Sequence, residues 1–253
     1  DLVVGGAQIF ALRLAQALSK DNNVHLFCYL ENLIINDIVR TISPDIKLLT
    51  YRPPGVGILR LIDRILYKLK IDLSFYNMCI NREIKRYFHE LNIDIVHSHS
   101  FKVDYELSKI FRSLEVPWVI TSHGDHAIFH RNFTTKSGEQ ILNYYNKIKR
   151  ILVSVNHFVY LSERQLNFFR DTELIGYKKY NKKMVNIYNG YTGEFSRFRR
   201  EVREKLNISD ECMVFGMVAR DNPDKGWREC IEAFKKIEKS YNVALILVGE
   251  GKY

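Results

Sequence analysis

The stretch that decides the fold runs from Phe215 to Phe234 and reads FGMVARDNPDKGWRECIEAF. It begins within an apolar run, 213–219, of the kind found in parallel strands that are covered on both faces. After Lys225-Gly226, apolar residues recur at helical spacing and predict a helix that ends near Tyr241. A second apolar run, 243–248, follows. Strand, helix and strand form a βαβ unit, so this part of the chain predicts a parallel α/β sheet.

Arg220 and Lys225 lie in the loop between the first strand and the helix. Ligands of open parallel sheets bind at the carboxyl ends of the strands, where this loop is expected. A helix N-terminus there offers backbone N–H groups and a positive dipole end. A guanidinium can hold two phosphate oxygens, and an ammonium adds a compact charge. The pattern indicates a diphosphate site, whereas the simpler interpretation is two solvated loop charges.

The rest of the sequence alternates between strand and helix patterns. Strands are predicted over 24–29, 93–97, 118–121, 158–161 and 185–188, and helices over 82–91, 105–114 and 139–155. This order favours a doubly wound parallel sheet in a Rossmann-like N-terminal domain over 1–195. The polar, basic segment 192–200 is the predicted linker to the beginning of a second Rossmann-like domain over 196–253.

A glycine pair, Gly5-Gly6, precedes another predicted helix near the start of the chain. Glycine lets the backbone approach a ligand closely at a helix N-terminus. The pair by itself is weak evidence for a ligand site.

The order of these motifs resembles the retaining glycosyltransferases of family 4, also called group 1, which have the two-Rossmann GT-B architecture. The resemblance rests on VARDNPDKG (218–226), LILVGEG (245–251) and the loop Gly5-Gly6-Ala7. It implies transfer of a sugar with retention from a nucleotide-diphosphate sugar to a saccharide or lipid-linked acceptor, in polysaccharide or glycolipid synthesis. No cofactor and no metal are expected beside the donor.

The resemblance also implies roles for individual residues. Arg220 and Lys225 would bind the donor diphosphate and stabilise the leaving group, and His123 would be a catalytic residue facing the donor sugar. Three glycines complete the donor-binding set: Gly5, Gly6 and Gly249. Two further residues, Asp125 and His126, are expected on the acceptor side.

The sequence departs from the family pattern in three places. Ala219 stands where the family has glycine before the arginine. The strand expected ahead of Gly5 and the paired glutamates expected after Gly251 do not occur in the sequence. We therefore expect a chain truncated at both ends, with a partial second domain and no transferase activity alone.

Histidines at two predicted strand ends allow a different function. His97, His99 and His123 could hold a metal ion and activate water in a metal-dependent hydrolase. A third alternative is a non-catalytic module that binds a nucleotide or a sugar. Paired glutamates in the parent protein would favour the enzyme over this module.

The charge balance predicts an anionic partner. The net charge is +9, yet no nucleic-acid-binding motif occurs, so nucleic acid is not expected as a partner. Residues 57–73 form a basic amphipathic pattern, which fits an anionic membrane surface or a helix packed on its own domain with a solvated charged face. Four cysteines without paired spacing and the lack of a membrane-spanning apolar run predict a cytoplasmic protein, peripheral at the inner membrane face if the membrane interpretation holds.

Overall fold

The computed structural model describes residues 5–29, 34, 36–111, 114–124, 126, 138–190, 199–219 and 225–249. The chain divides into two compact units, Asp1–Gly190 and Tyr191–Tyr253. Both contain helices that connect parallel strands.

The first unit alternates strands and helices along most of its length. Its elements are α1 (Gly6–Leu18), β1 (His25–Cys28), α2 (Asn36–Ile42), β2 (Lys47–Thr50), α3 (Val56–Lys68), α4 (Phe75–Leu91), β3 (Val96–Ser98), α5 (Phe101–Ile110), β4 (Trp118–Ser122), α6 (Gly138–Ser154), β5 (His157–Tyr160), α7 (Glu163–Asp171) and β6 (Met184–Asn186). Three short 3₁₀ turns, Glu173–Ile175, Tyr177–Lys179 and Asn181–Lys183, lead from α7 into β6.

Every strand pair in the described residues is parallel. β1 pairs with β2, and a four-stranded sheet has the order β3-β4-β5-β6. In that sheet Ser98 lies opposite Ile120, and Ile120 lies opposite Phe158. Parallel neighbours need long crossovers, which α5, α6 and α7 supply. The predicted α/β fold with parallel strands is confirmed.

The main core of the first unit lies around the central strand β4. Trp118 and Ile120 are fully buried on β4, and Leu152 of α6 and Phe169 of α7 pack into the same cluster. The indole Nε1 of Trp118 donates a hydrogen bond of 2.8 Å to Ser98 Oγ on the neighbouring strand. Because burial of each such side chain contributes about 1.5–3 kcal/mol, this cluster fixes the carboxyl ends of β3 and β4 relative to each other.

A smaller core holds α1 against β1 and α2. Its buried members are Leu12, Cys28 and Val39. The hydroxyl of Ser43, also buried, donates to the carbonyl of Leu12 at 2.7 Å. These contacts set the direction of α1, and with it the position of the glycine pair at its start.

The second unit contains α8 (Arg199–Lys205), β7 (Met213–Val218), α9 (Trp227–Ile237) and β8 (Val243–Val248). β7 and β8 pair in parallel register along their whole length. Phe234 of α9 contacts Phe215 edge-on, with ring centroids 6.4 Å apart. The predicted βαβ unit is therefore present, although α9 ends before Tyr241.

Two details of the second unit differ from expectation. Met213, Phe215 and Val218 are exposed, so the described residues do not cover β7 on both faces, as its apolar run predicted. The linker predicted over 192–200 falls mostly on 191–198, outside the described residues. Its last two residues instead begin α8, where Arg200 pairs with Glu204 at 3.1 Å.

No helix within the described ranges combines the length and the apolar character needed to cross a membrane.

Candidate functional site

Three histidines meet at the carboxyl ends of β3 and β4. His97 lies on β3, and its Nε2 is 2.8 Å from Thr121 Oγ1 on β4. His99 and His123 each follow one of these strands, and His99 Nδ1 is 3.1 Å from His123 Nε2. The rings of His97 and His99 are only 4.3 Å apart between centroids. The sequence placed these residues at strand ends, and the parallel register brings them together.

The start of α1 joins the histidines at this edge. Phe10 contacts the His123 ring at 5.0 Å and the His99 ring at 5.9 Å, both edge-on. The N-cap residue of α1 is Gly5, in extended conformation. The glycine pair and His123, predicted separately, therefore lie at the same edge of the first unit.

A cavity of about 470 Å³ opens at this edge. Its polar lining includes Gln8, His99, His123 and Asp104, and its apolar lining includes Phe158 and other core side chains. Cavities of a few hundred Å³ with a few polar groups on an apolar wall are typical of small-molecule sites. The volume and lining suit a sugar-sized ligand that bonds through hydroxyl groups.

The histidines are uncharged at neutral pH. Burial, together with a smaller effect of the neighbouring rings of His97 and His123, lowers the pKa of His99 to about 3. Burial likewise lowers the pKa of His97 to about 4 and lowers that of His123. His97 is more exposed than His99, so solvent weakens the effect of its surroundings on its pKa. A neutral imidazole offers one donor and one acceptor, which suits a hydroxyl ligand.

Asp104 is a buried carboxyl group on this cavity that the sequence did not single out. It lies in the first turn of α5 and is only 5% exposed. Its Oδ1 has no hydrogen-bond partner among the described residues. Burial raises its pKa to about 8, opposed by a hydrogen bond with Ser98. Acidic residues are common in the first turn of helices, so the sequence pattern did not distinguish Asp104 as a candidate site residue.

His126 was predicted on the acceptor side, and it lines the cavity from a buried position. It is 4% exposed and stacks on Phe168 at 5.7 Å. Its Nε2 is 3.0 Å from Ser122 Oγ, and its Nδ1 is 2.6 Å from the hydroxyl of Tyr144. Both ring nitrogens are thus bonded to protein, and His126 positions the wall of the cavity. Asp125, predicted beside it, lies outside the described residues.

In the second unit, Lys225 and Gly226 lead directly into α9. Gly226 is the N-cap and has a left-handed backbone, φ 75°, that favours glycine. Glycine has no side chain with which to cap the helix itself. The first turn of α9 therefore presents backbone N–H groups beside an exposed lysine, as the sequence predicted. Arg220, the other predicted cation, lies outside the described residues.

Gly249 closes the same edge from the end of β8. A Cβ atom on it would lie 1.9 Å from the carbonyl oxygen of Ala219 and 3.2 Å from the Trp227 ring. Its φ of 150° also disfavours other residues. Only glycine fits here, so this predicted donor residue brings the ends of β7 and β8 against the start of α9.

The alternative of a metal-dependent hydrolase finds no ligand set in the described part of the chain. No group of three or more His, Cys, Asp or Glu side chains there could hold a metal ion. Ring nitrogens of His97, His99 and His123 are instead hydrogen-bonded to Thr121 or to one another.

Comparison with solved structures defines the class of the fold. HepE from Anabaena, solved in complex with UDP and glucose, matches with a TM-score of 0.66 and 14% identity over 100% of this chain and 60% of that one. A glycosyltransferase from Rickettsia africae matches with a TM-score of 0.65 and 18% identity over 98% of this chain and 58% of the other. The chain thus spans about three fifths of the length of these structures, and its fold is that of the GT-B glycosyltransferases.

The family follows from the sequence profile. The profile of Glycosyltransferase Family 4 matches residues 4–192, most of the chain. The chain belongs to this glycosyltransferase family. No curated protein sequence matches it significantly.

Proposed function

We propose that the protein transfers a sugar, with retention, from a nucleoside-diphosphate sugar to a saccharide or lipid-linked acceptor, without a metal ion. The observation that carries this proposal is the arrangement of strand ends and helix start at one edge of the second unit. There the parallel ends of β7 and β8 meet the start of α9 at Lys225 and Gly226. Parallel strand ends beside a helix N-terminus form the general setting of nucleotide diphosphates.

The charge available at this edge suits a departing diphosphate. Lys225 adds a cation to the positive end of α9, and we propose that Arg220 adds a second. The acceptor oxygen bonds to the sugar carbon as the sugar–phosphate bond breaks. The nucleoside diphosphate leaves with the bonding electrons and takes up the proton of the acceptor hydroxyl. Fixed positive groups stabilise this charge as it develops, without a general base at the sugar. The structure of HepE with UDP-glucose supports a donor of this class.

His123 is the residue that we assign to the donor sugar in the first unit. Its lowered pKa keeps the ring neutral, and its Nε2 is already within 3.1 Å of His99. His99 can therefore fix the tautomer of His123 and leave Nδ1 for a sugar hydroxyl. We propose that the acceptor hydroxyl is then positioned in the 470 Å³ cavity beside it.

A calorimetric titration of the chain with UDP and with GDP tests the donor site. We expect one nucleotide to bind without divalent metal and the double variant Arg220→Ala/Lys225→Ala to weaken binding by about 100-fold or more, since each cation forms charge-assisted bonds to phosphate. The matched control is Lys235→Ala/Lys236→Ala, which removes two charges from the opposite end of α9.

Equal losses in the two double variants would mean that only overall charge matters and would contradict the site. Binding that is indifferent to Arg220 and Lys225 would contradict it as well. A second titration with His123→Asn tests the assignment of His123 separately from the diphosphate site. This variant should bind UDP normally and UDP-glucose more weakly, because His123 is assigned to the sugar.

A further inference from the structure

The helix α3 has two apolar rows, and only one of them faces the protein. Val56 and Leu59 pack against the main core of the first unit, and the helix lies along α4. Ile62 and Leu66 continue this row and are half-buried. These residues pack α3 on its own domain. The remaining apolar residues of the helix do not contribute to this packing.

The second apolar row faces solvent. Ile58, Leu61 and Ile65 are 67%, 56% and 50% exposed, and their i, i+3, i+7 spacing aligns them on one face. The exposed apolar surface continues past the helix through Leu69, Ile71 and Leu73. Large contiguous apolar patches are uncommon on soluble surfaces and mark sites of interaction. We call the three helical residues the outer row.

A row of cations runs beside the outer row. Arg60, Arg64 and Lys68 follow i, i+4, i+8 spacing. The guanidinium of Arg60 lies over the Tyr76 ring of α4 at 5.2 Å, whereas Arg64 and Lys68 are exposed and lie three residues after Leu61 and Ile65 on the helix surface. Lys70 extends the positive charge beyond the helix end. Apolar side chains flanked by cations on one side of a helix are the arrangement that suits the headgroup region of an anionic bilayer.

The two carboxylates in this segment are directed to the protein. Asp63 accepts hydrogen bonds from the backbone N–H of Phe75 at 2.7 Å and from the hydroxyl of Ser74, and thereby caps α4. Asp72 accepts from the hydroxyl of Tyr105 at 2.9 Å. Because both acids bond internally, they neither interrupt the outer row nor pair with its cations through these contacts.

We propose that α3 is a membrane-docking helix that inserts its outer row into the surface of an anionic bilayer while Arg64 and Lys68 contact lipid phosphates. One apolar row packs on the domain and another remains exposed, and the exposed row favours the membrane interpretation over a helix that only packs on its own domain. The proposal goes beyond the transfer reaction and rests on none of the residues assigned to it. It gives a sugar transferase access to a lipid-borne acceptor.

Vesicle co-sedimentation of the full chain tests the proposal. We expect binding to vesicles of phosphatidylglycerol and phosphatidylcholine, and at least 10-fold weaker binding to phosphatidylcholine alone. Ile58→Gln/Leu61→Gln/Ile65→Gln should reduce binding by about 100-fold. Arg64→Gln/Lys68→Gln should reduce it by about 30-fold and remove most of its salt dependence.

Matched controls replace other exposed residues of the first unit. Leu18→Gln/Leu142→Gln/Val153→Gln alters three exposed apolar side chains, and Lys178→Gln/Lys182→Gln alters two exposed lysines. Both control variants should bind vesicles within about twofold of the wild-type chain. Circular dichroism checks that every variant is folded, and nucleotide titration checks the donor site independently.

Three results would overturn the proposal: no binding of the wild-type chain to either vesicle, wild-type binding by the outer-row variant, or a dimer in solution that the outer-row substitutions abolish. The last result would identify a second copy of the chain as the occupant. Nucleotide binding that persists in any of these cases would leave the proposed function intact.

Discussion

Replacing Asp104 by asparagine should change how the stability of the first unit depends on pH. The carboxyl group is 5% exposed, and its pKa is raised by burial from 3.8 to about 8. In the unfolded chain it ionises near its ordinary pKa. At a pH between these two pKa values, the folded chain therefore holds a proton on Asp104 that the unfolded chain releases.

The sign and size of the effect follow from this difference. A group whose pKa is raised on folding contributes its full stability below its unfolded pKa and loses it as pH rises to the folded pKa. The loss is about 1.4 kcal/mol per pH unit. From about pH 5.5 to about pH 8 it amounts to about 3 kcal/mol. Asparagine cannot ionise, so Asp104→Asn should not show this loss. The histidines are the same in both chains and cancel in the comparison.

Urea denaturation followed by tryptophan fluorescence measures the difference. Trp118 lies in the first unit and Trp227 in the second, so a Trp227→Phe background reports on the first unit alone. Trp118 is fully buried and donates to Ser98, the hydrogen-bond partner of Asp104, so its fluorescence reports on the packing around that carboxyl.

From about pH 5.5 to about pH 8, we expect the free energy of unfolding of Asp104→Asn to rise by about 3 kcal/mol relative to that of the wild-type chain. Ser108→Ala, a buried and non-ionising change on the same helix, should shift the free energy of unfolding equally at both. A difference between Asp104→Asn and wild type that varies by less than about 0.5 kcal/mol over this range would refute the reasoning.

Three further predictions concern other parts of the chain. Gly249→Ala should destabilise the second unit by about 2 kcal/mol or more in urea denaturation followed by Trp227, because its Cβ would clash with a carbonyl, whereas Gly216→Ala, with open space around it, should not. Lys183→Met should cost about 1–2 kcal/mol, measured through Trp118, since the lysine ammonium donates to three carbonyl groups at and just after the C-terminal end of α6. Glu229→Gln should tighten UDP binding about two- to threefold at low salt in calorimetry, because it removes a negative charge from the first turn of α9; unchanged affinity would contradict a diphosphate at this helix end.

Strands were the part of the fold that the sequence predicted best. The apolar runs around Ile120, Val159 and Val214 are strands close to the predicted bounds, because a parallel strand needs a continuous apolar run. Helix starts were less predictable. α4 begins at Phe75 rather than near residue 82, since Ser74 caps it and Asp63, distant in sequence, accepts from its first N–H groups.

The candidate site was predictable where it depends on strand ends and glycines. His123 and Gly249 both lie at the edges expected from the βα alternation. Burial of polar groups was not predictable, because it depends on residues distant in sequence. His126 is enclosed by Tyr144 and Phe168, and Asp104 faces Ser98 within the cavity wall. A helical pattern also could not reveal that α3 leaves one of its two apolar rows exposed.

The measurement that tests the central claim most directly is ¹H–¹⁵N NMR of the chain titrated with UDP and UDP-glucose. A diphosphate at the start of α9 predicts the largest shifts at the backbone amides of Gly226, Trp227 and Gly249, with smaller shifts at the C-terminal end of the same helix. Saturable shifts at these three amides, lost in Arg220→Ala/Lys225→Ala, are the result that the account predicts. Saturable binding that leaves these amides unmoved would contradict it.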